Sequence, residues 1–246
     1  MSSRYFLELS YKGTNYSGFQ TQQNANTVQG EVEKAFKILQ RSPVALTGSS
    51  RTDAGVHALQ NFFHFDFEAE IHPDFVYKMN AILPADIVIK AIYPVGAEQH
   101  SRFDASSRLY HYHIYTHKNP FLEDRAYYFP YTIDMEKLQE AAVLITRYND
   151  FTSFSKRNTQ VKTFRCSIIQ SQWFWQSDCL IYKVEADRFL RGMVRALTAT
   201  MLKVGRGKIS LQQFQEIIEA KDCTKAHFDV PGHGLFLQKV NFLQPL

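Results

Sequence analysis

The sequence predicts an α+β fold of two similar halves, each a split βαβ unit, around a central antiparallel sheet with a cleft between the halves. Three observations carry this. Short stretches alternate apolar and polar residues, the period of half-buried strands. Between them lie longer stretches with apolar residues at helical spacing. The order strand, helix, strand, strand, helix, strand then occurs twice, as a repeat of element order rather than of sequence. The boundary between halves is expected at residues 106/107, giving 1–106 and 107–246, with a connector over 94–107 where Pro94 and Gly96 end the preceding strand.

The first strand spans residues 5–11, with Tyr5, Leu7, Leu9 and Tyr11 on one face and Glu8 and Ser10 on the other. A polar loop follows at 12–23. Its Tyr16, Phe19 and three glutamines suit a solvated loop and an RNA-facing one equally. A helix begins near Thr27, with Asn26 and Gln29 spaced as in a capping box and Val28, Val32, Ala35, Phe36 and Leu39 at helical spacing. A short strand near 44–47 leads into the loop at 48–58, and Phe63, Phe65 and Phe67 then alternate with His64 and Asp66. Residues 74–82 read as a helix stopped by Leu83-Pro84, and 87–93 as a strand. In the second half, 109–116 is a strand and 133–147 a helix on Met135, Leu138, Ala141, Ala142 and Ile145. Strands follow within 161–175 and at 180–185, then a helix at 189–204 and a last strand at 235–242.

Composition narrows the function. The 45% hydrophobic content supports a sizeable core, and 20 Phe with 13 Tyr suit a sheet-rich one. A net charge of +4 permits RNA binding without demanding it. Cys166, Cys179 and Cys223 are odd in number and lack metal-ligand spacing, which fits a reducing cytoplasm. Neither a transmembrane stretch nor a signal peptide is read from the sequence. P-loop, Rossmann, G-x-S-x-G and H-E-x-x-H patterns are all missing, so neither a cofactor nor a metal is expected.

The loop Gly48-Ser49-Ser50-Arg51-Thr52-Asp53-Ala54-Gly55-Val56-His57-Ala58 places a cation and a carboxylate two residues apart among small residues, with Gly48 and Gly55 available for tight bends. Alone, Asp53 reads as a turn or cap residue. On the helix expected from Phe189, Arg188, Arg191 and Arg195 would share an arc of about 60° beside an apolar face. That reads first as a solvated edge, or else as a fork aimed at a carboxylate or phosphate. Tyr110 and Tyr112 share one strand face, Tyr110 as core or as a stacking platform, and His111 and His113 share the other, exposed or cross-strand paired rather than metal-binding. The basic run over 155–162 reads first as a solvated loop and would also suit phosphate contact.

The segment Arg51-Thr52-Asp53-Ala54-Gly55-Val56-His57-Ala58 resembles the signature of the tRNA pseudouridine synthase A family. Further matches follow in order: Tyr11-Lys12-Gly13, Asn80-Ala81-Ile82-Leu83-Pro84, Phe103-Asp104-Ala105, Arg108-Leu109-Tyr110, Asp150-Phe151, Phe189-Leu190-Arg191-Gly192-Met193-Val194-Arg195 and Gly234-Leu235. The resemblance covers essentially the whole chain. It departs at Ser50, where the family usually has Gly, and at Asp187-Arg188-Phe189, where Asn-Ala-Phe is commoner. It implies the pseudouridine synthase fold and isomerisation of uridine to pseudouridine at positions 38–40 of the tRNA anticodon stem-loop, by a homodimer without a cofactor. Carried over by motif, Asp53 is the catalytic acid, Tyr110 lies against the target base and Arg195 pairs with Asp53. Arg51, Arg188 and Leu235 join Tyr110 in binding substrate. Two other classes stand beside this one. A non-catalytic RNA-binding protein has no use for a cation-paired acid, and a hydrolase needs a second carboxylate or a metal.

Overall fold

Alternation builds the first strand, β1 (Ser3–Tyr11), whose Tyr5, Leu7, Leu9 and Tyr11 are all buried on one face. The computed structural model describes residues 2–68, 70–157, 159 and 161–244. Its contacts separate two units, Met1–Ser106 with Leu237–Leu246, and Ser107–Phe236.

In the first unit, α1 (Val28–Gln40) follows the loop at 12–23. Thr27, not Asn26, caps it, accepting from Gly30 N at 3.2 Å. Gln29 instead donates to Glu33 and to Leu46 O, tying the first turn to the segment beyond the helix. Next come β2 (Thr47–Gly48), β3 (His57–Phe67), α2 (Phe75–Ile82) and β4 (Ile87–Val95). β1 lies between β4 and β3, antiparallel to both, and β2 pairs antiparallel with β3, which gives the split βαβ order. Tyr5 sits opposite Phe65 and Leu7 opposite Phe63. Phe36 of α1 meets Phe65 edge-on at 5.0 Å and Phe75 of α2 at 5.1 Å, so both helices cover this face. Each such phenyl contributes about 1.5–3 kcal/mol by leaving water. On the opposite face Phe6 and Phe62 pack on Phe242 of β9 (Leu235–Phe242), at 5.4 and 5.1 Å. Residues 237–246, counted with the second half from the sequence, thus cluster with the first.

The second unit runs through β5 (Ala105–Tyr115), β6 (Tyr127–Tyr128), α3 (Met135–Leu144), β7 (Ile168–Gln176), β8 (Cys179–Ala186), α4 (Met193–Gly205) and α5 (Leu211–Glu219). β8 pairs antiparallel with β5 on one side and β7 on the other. Tyr182 faces Tyr112 and Trp173 in register, and it stacks on Trp173 at 4.8 Å. Trp173 also donates to Met201 Sδ of α4 at 3.4 Å, which seats that helix on the aromatic row.

The chain is therefore mixed α+β with mostly antiparallel sheet, as the sequence predicts. Differences are local. α4 starts at Met193 rather than Phe189, because Gly192 takes a left-handed φ of 75° that interrupts helical backbone. Arg188 and Arg191 consequently precede the helix, and the shared arc with Arg195 does not form. α5 was not read from the sequence. Its signal is the capping box in which Ser210 and Gln213 bond each other's backbone. None of the helices among the described residues is long and apolar enough to cross a membrane.

Candidate active site

The Asp53 loop joins β2 to β3, and buried polar groups fix it. Asn61 of β3 is fully buried. Its amide donates to Ser50 O at 2.8 Å and to the Tyr11 hydroxyl at 3.2 Å, while its carbonyl accepts from Phe62 N. The Tyr11 hydroxyl in turn lies 2.7 Å from Thr52 Oγ1. Thr52 O accepts from Phe19 N, and Val56 N closes a turn onto Asp53 O at 3.2 Å. His57 Nδ1 accepts from Gly13 N at 3.0 Å, which places its proton on Nε2. Thr52 is thus buried, Arg51 before it is exposed and Asp53 after it is half-buried. Gly55 makes the expected bend at φ 76°, whereas Gly48 is extended in β2 and meets the edge of the Phe19 ring. Tyr16 and Phe19 are buried: Phe19 stacks on Phe63 at 4.6 Å, and Tyr16 donates to Asp86 at 2.5 Å. These two aromatics support the loop from inside and offer no surface for stacking.

The second unit holds Tyr110, Arg188, Arg195 and Leu235. Tyr110 is buried on β5, opposite Val184, with Phe189 edge-on at 5.1 Å and 85°. Arg195 lies in the first turn of α4, and its Nε and Nη2 both donate to Val230 O, at 3.0 and 2.7 Å. The next carbonyl, Pro231 O, accepts from Tyr112 Oη at 2.7 Å. Gly234 lies against the Tyr112 ring so closely that a Cβ there would sit 2.7 Å from Cζ. Arg195 and Tyr112 therefore hold one segment, 230–234, that delivers the buried Leu235. Burial also pushes the Tyr112 phenol well above its ordinary value, so it remains a donor. Arg188 is half-buried between β8 and α4. Its neighbour Asp187 accepts from Ser167 N and Arg188 N, and Arg108 donates to Asp187 O.

His111 and His113 are half-buried. His111 lies opposite Lys183, and burial lowers its pKa to about 4. Among the described residues no three His, Cys, Asp or Glu side chains group to hold a metal. In the basic run over 155–162, Lys156 N donates to Arg191 O; Asn158 and Gln160 lie outside the described residues. Asn61, Tyr11 and Tyr112 were not singled out from the sequence for these anchoring roles. Tyr112 shares its face with Tyr110, which was a signal, whereas nothing local marked Asn61.

The model of a family described as tRNA pseudouridine synthase matches residues 9–104 and 141–243. A protein of Parabacteroides distasonis named tRNA pseudouridine synthase A is 47% identical over 99% of this chain and 97% of its own length. One of the same name from Porphyromonas gingivalis is 44% identical over 97% of this chain and 96% of its own. A third, from Staphylococcus carnosus, is 36% identical over 98% and 91%.

Proposed function

Because the chain belongs to the tRNA pseudouridine synthase family, whose members are isomerases, we propose that it converts uridine to pseudouridine at positions 38–40 of the tRNA anticodon stem-loop. Carried over by the family motif, Asp53, Tyr110 and Arg195 are its catalytic residues, with Asp53 as the acid and Tyr110 against the target base. Arg51, Arg188 and Leu235 bind the substrate. The observation that carries this reading is the Arg51-Thr52-Asp53 loop, with Thr52 pinned by Tyr11 and the Asp53 side chain left half-buried.

The chemistry needs little beyond these groups. The N1–C1′ bond breaks, the uracil turns, and a C5–C1′ bond forms; C5 loses its proton to solvent and N1 gains one. No electron or group leaves the nucleotide. Asp53 can attack C1′, attack the base or take the C2′ proton, and each role requires its carboxylate form. Extruding the uridine costs a few kcal/mol, and stacking at roughly 1–3 kcal/mol per base offsets part of that. The same reading makes the working form a cytoplasmic homodimer, and light scattering of the purified chain tests the dimer.

The decisive assay uses a tRNA transcript tritiated at uridine C5. A synthase releases tritium without losing base or strand. Free uracil would reveal a hydrolase, and binding without release a non-catalytic RNA-binding protein; either result overturns the proposal. Mapping the pseudouridines formed tests the assignment to positions 38–40.

A further inference from the structure

A second surface of the first unit borders the Asp53 loop and shares Gly48 and Arg51 with it. A cavity of about 170 Å³ is lined by Phe19, Gln29, Arg51, His100, Arg102 and Phe103, among others, and none of the described lining residues is acidic. Drug-sized sites run to roughly 300–1,000 Å³, so this one is scaled to a single flat ring system. Phe103 is 74% exposed. A lone exposed phenyl is ordinary. This one is held in place and flanked by charge. The His100 ring packs on it at 4.2 Å, and the Arg102 guanidinium lies 5.7 Å from its centre.

The loop carrying it is closed on itself and anchored below. His100 N donates to the Asp104 carboxylate at 2.7 Å, and Phe103 N and Asp104 N donate back to His100 O. Ser101 is fully buried. Its hydroxyl donates to Thr47 O at 3.1 Å and lies 2.9 Å from Nδ1 of buried His64. The base of the loop is thus fastened to β2 and β3, while Arg102 and Phe103 on either side of the turn stay exposed. Arg51 is exposed as well, and none of the described residues is hydrogen-bonded or ion-paired to it.

A fixed aromatic ring with the Arg102 guanidinium over it, on a cavity that Arg51 also lines, matches an unpaired nucleotide, which offers a free base face and a phosphate; bases inside a duplex have no face to give. We propose that Phe103, Arg102 and Arg51 form a subsite for one unpaired RNA nucleotide flanking the target uridine, its base stacked on Phe103 and its phosphate held by the two arginines. This rests on the reading of the substrate as a tRNA stem-loop and adds a place where a neighbouring nucleotide is held.

The test is equilibrium binding of the full chain to an anticodon stem-loop RNA carrying 2-aminopurine at each unpaired position in turn, with a fully paired RNA duplex of equal length as control. Phe103→Ala weakens stem-loop binding about tenfold, within the range for base–aromatic stacking. It leaves duplex binding unchanged and relieves fluorescence quenching at one loop position, and Phe103→Trp restores both. Arg102→Ala reduces the slope of log affinity against log salt by about one. Under turnover Phe103→Ala raises KM more than it lowers kcat. The thermal midpoint of Phe103→Ala is unchanged, because the ring is exposed. Wild-type affinity in Phe103→Ala, an equal loss on the duplex, a lowered midpoint, or failure of Phe103→Trp to restore binding each overturns the subsite. Tritium release by the wild type reports separately on the reaction. No release with a persisting Phe103 effect refutes the reaction and keeps the subsite; release with no Phe103 effect does the reverse.

Discussion

The two units hold their candidate site residues by different means. In the first, the Asp53 loop is fixed by side chains reaching into it: Asn61 to Ser50 O, Tyr11 to Thr52, His57 to Gly13 N. In the second, side chains from a helix and a strand reach one distant segment and fix it through its carbonyls, Arg195 to Val230 and Tyr112 to Pro231. The first arrangement makes a rigid mount that leaves its acid half-buried. The second makes a clamp, in which Arg195 orders the stretch leading to Leu235 while it is itself oriented by that stretch. A mount and a clamp fail differently when cut.

Asp53→Ala is expected to have the largest effect. It removes tritium release by at least about 10⁴-fold, as loss of a group central to the chemistry does, and leaves the denaturation midpoint within error of wild type. Asn61→Ala should do both kinds of damage. It strips the Ser50 carbonyl and the Tyr11 hydroxyl of a buried donor, costing about 2–3 kcal/mol in urea denaturation, and it loosens the loop enough to lower turnover. Wild-type stability in Asn61→Ala would show that the loop does not depend on that amide. On the clamp side, Gly234→Ala drives a methyl into the Tyr112 ring and should cost about 1–3 kcal/mol.

The difference between units also explains what could be read from the sequence. The mount is contiguous: eight residues from Arg51 to Ala58 lie between a short strand and an alternating one, and both periodicities were visible. The split βαβ order followed from the same periodicities. Asn61 could not be found that way, because a polar residue on a strand looks solvent-facing until the partners above it are known. The clamp is dispersed. Arg195 and Val230 lie 35 positions apart, and no local pattern states which carbonyl a guanidinium will meet. Apolar spacing continues through Phe189 and Leu190 and so predicts a start four residues too early, while the left-handed Gly192, where a Cβ would crowd Lys156 and Phe228, leaves no apolar signature. The motif match placed Arg195 and Leu235 on one list; it was the fold that joined them through residues 230–234.

Acid should weaken both units in one window. Burial lowers the pKa of His64 to about 4, with His100 and Arg4 adding to it, and burial beside Lys183 lowers His111 to about 4. Both groups titrate at an ordinary 6.5 once unfolded. Between these values the unfolded chain binds more protons than the folded one, so stability is full above about pH 6.5 and falls as pH drops towards 4. His64→Gln should flatten the dependence of the first unit, where protonation works against the Ser101 anchor. His111→Gln should flatten that of the second. Urea titrations at pH 7 and pH 5 read both, and an unchanged pH slope in either variant removes that histidine from the account.

The smallest expected effect is the sharpest test of the clamp. Tyr112→Phe removes one hydrogen bond to a backbone carbonyl and keeps the ring over Gly234, so it should cost only about 1 kcal/mol. Arg195→Ala removes two bonds to the adjacent carbonyl. If Arg195 and Tyr112 hold one segment, either alone keeps it largely in place, and the double variant loses more than the sum of the singles, by about 0.5–1 kcal/mol in a denaturation cycle. Additivity within about 0.3 kcal/mol would mean that Val230 and Pro231 are held independently. The same cycle on Tyr11→Phe and Asn61→Ala should show coupling of at least that size, since Asn61 donates to the Tyr11 hydroxyl directly.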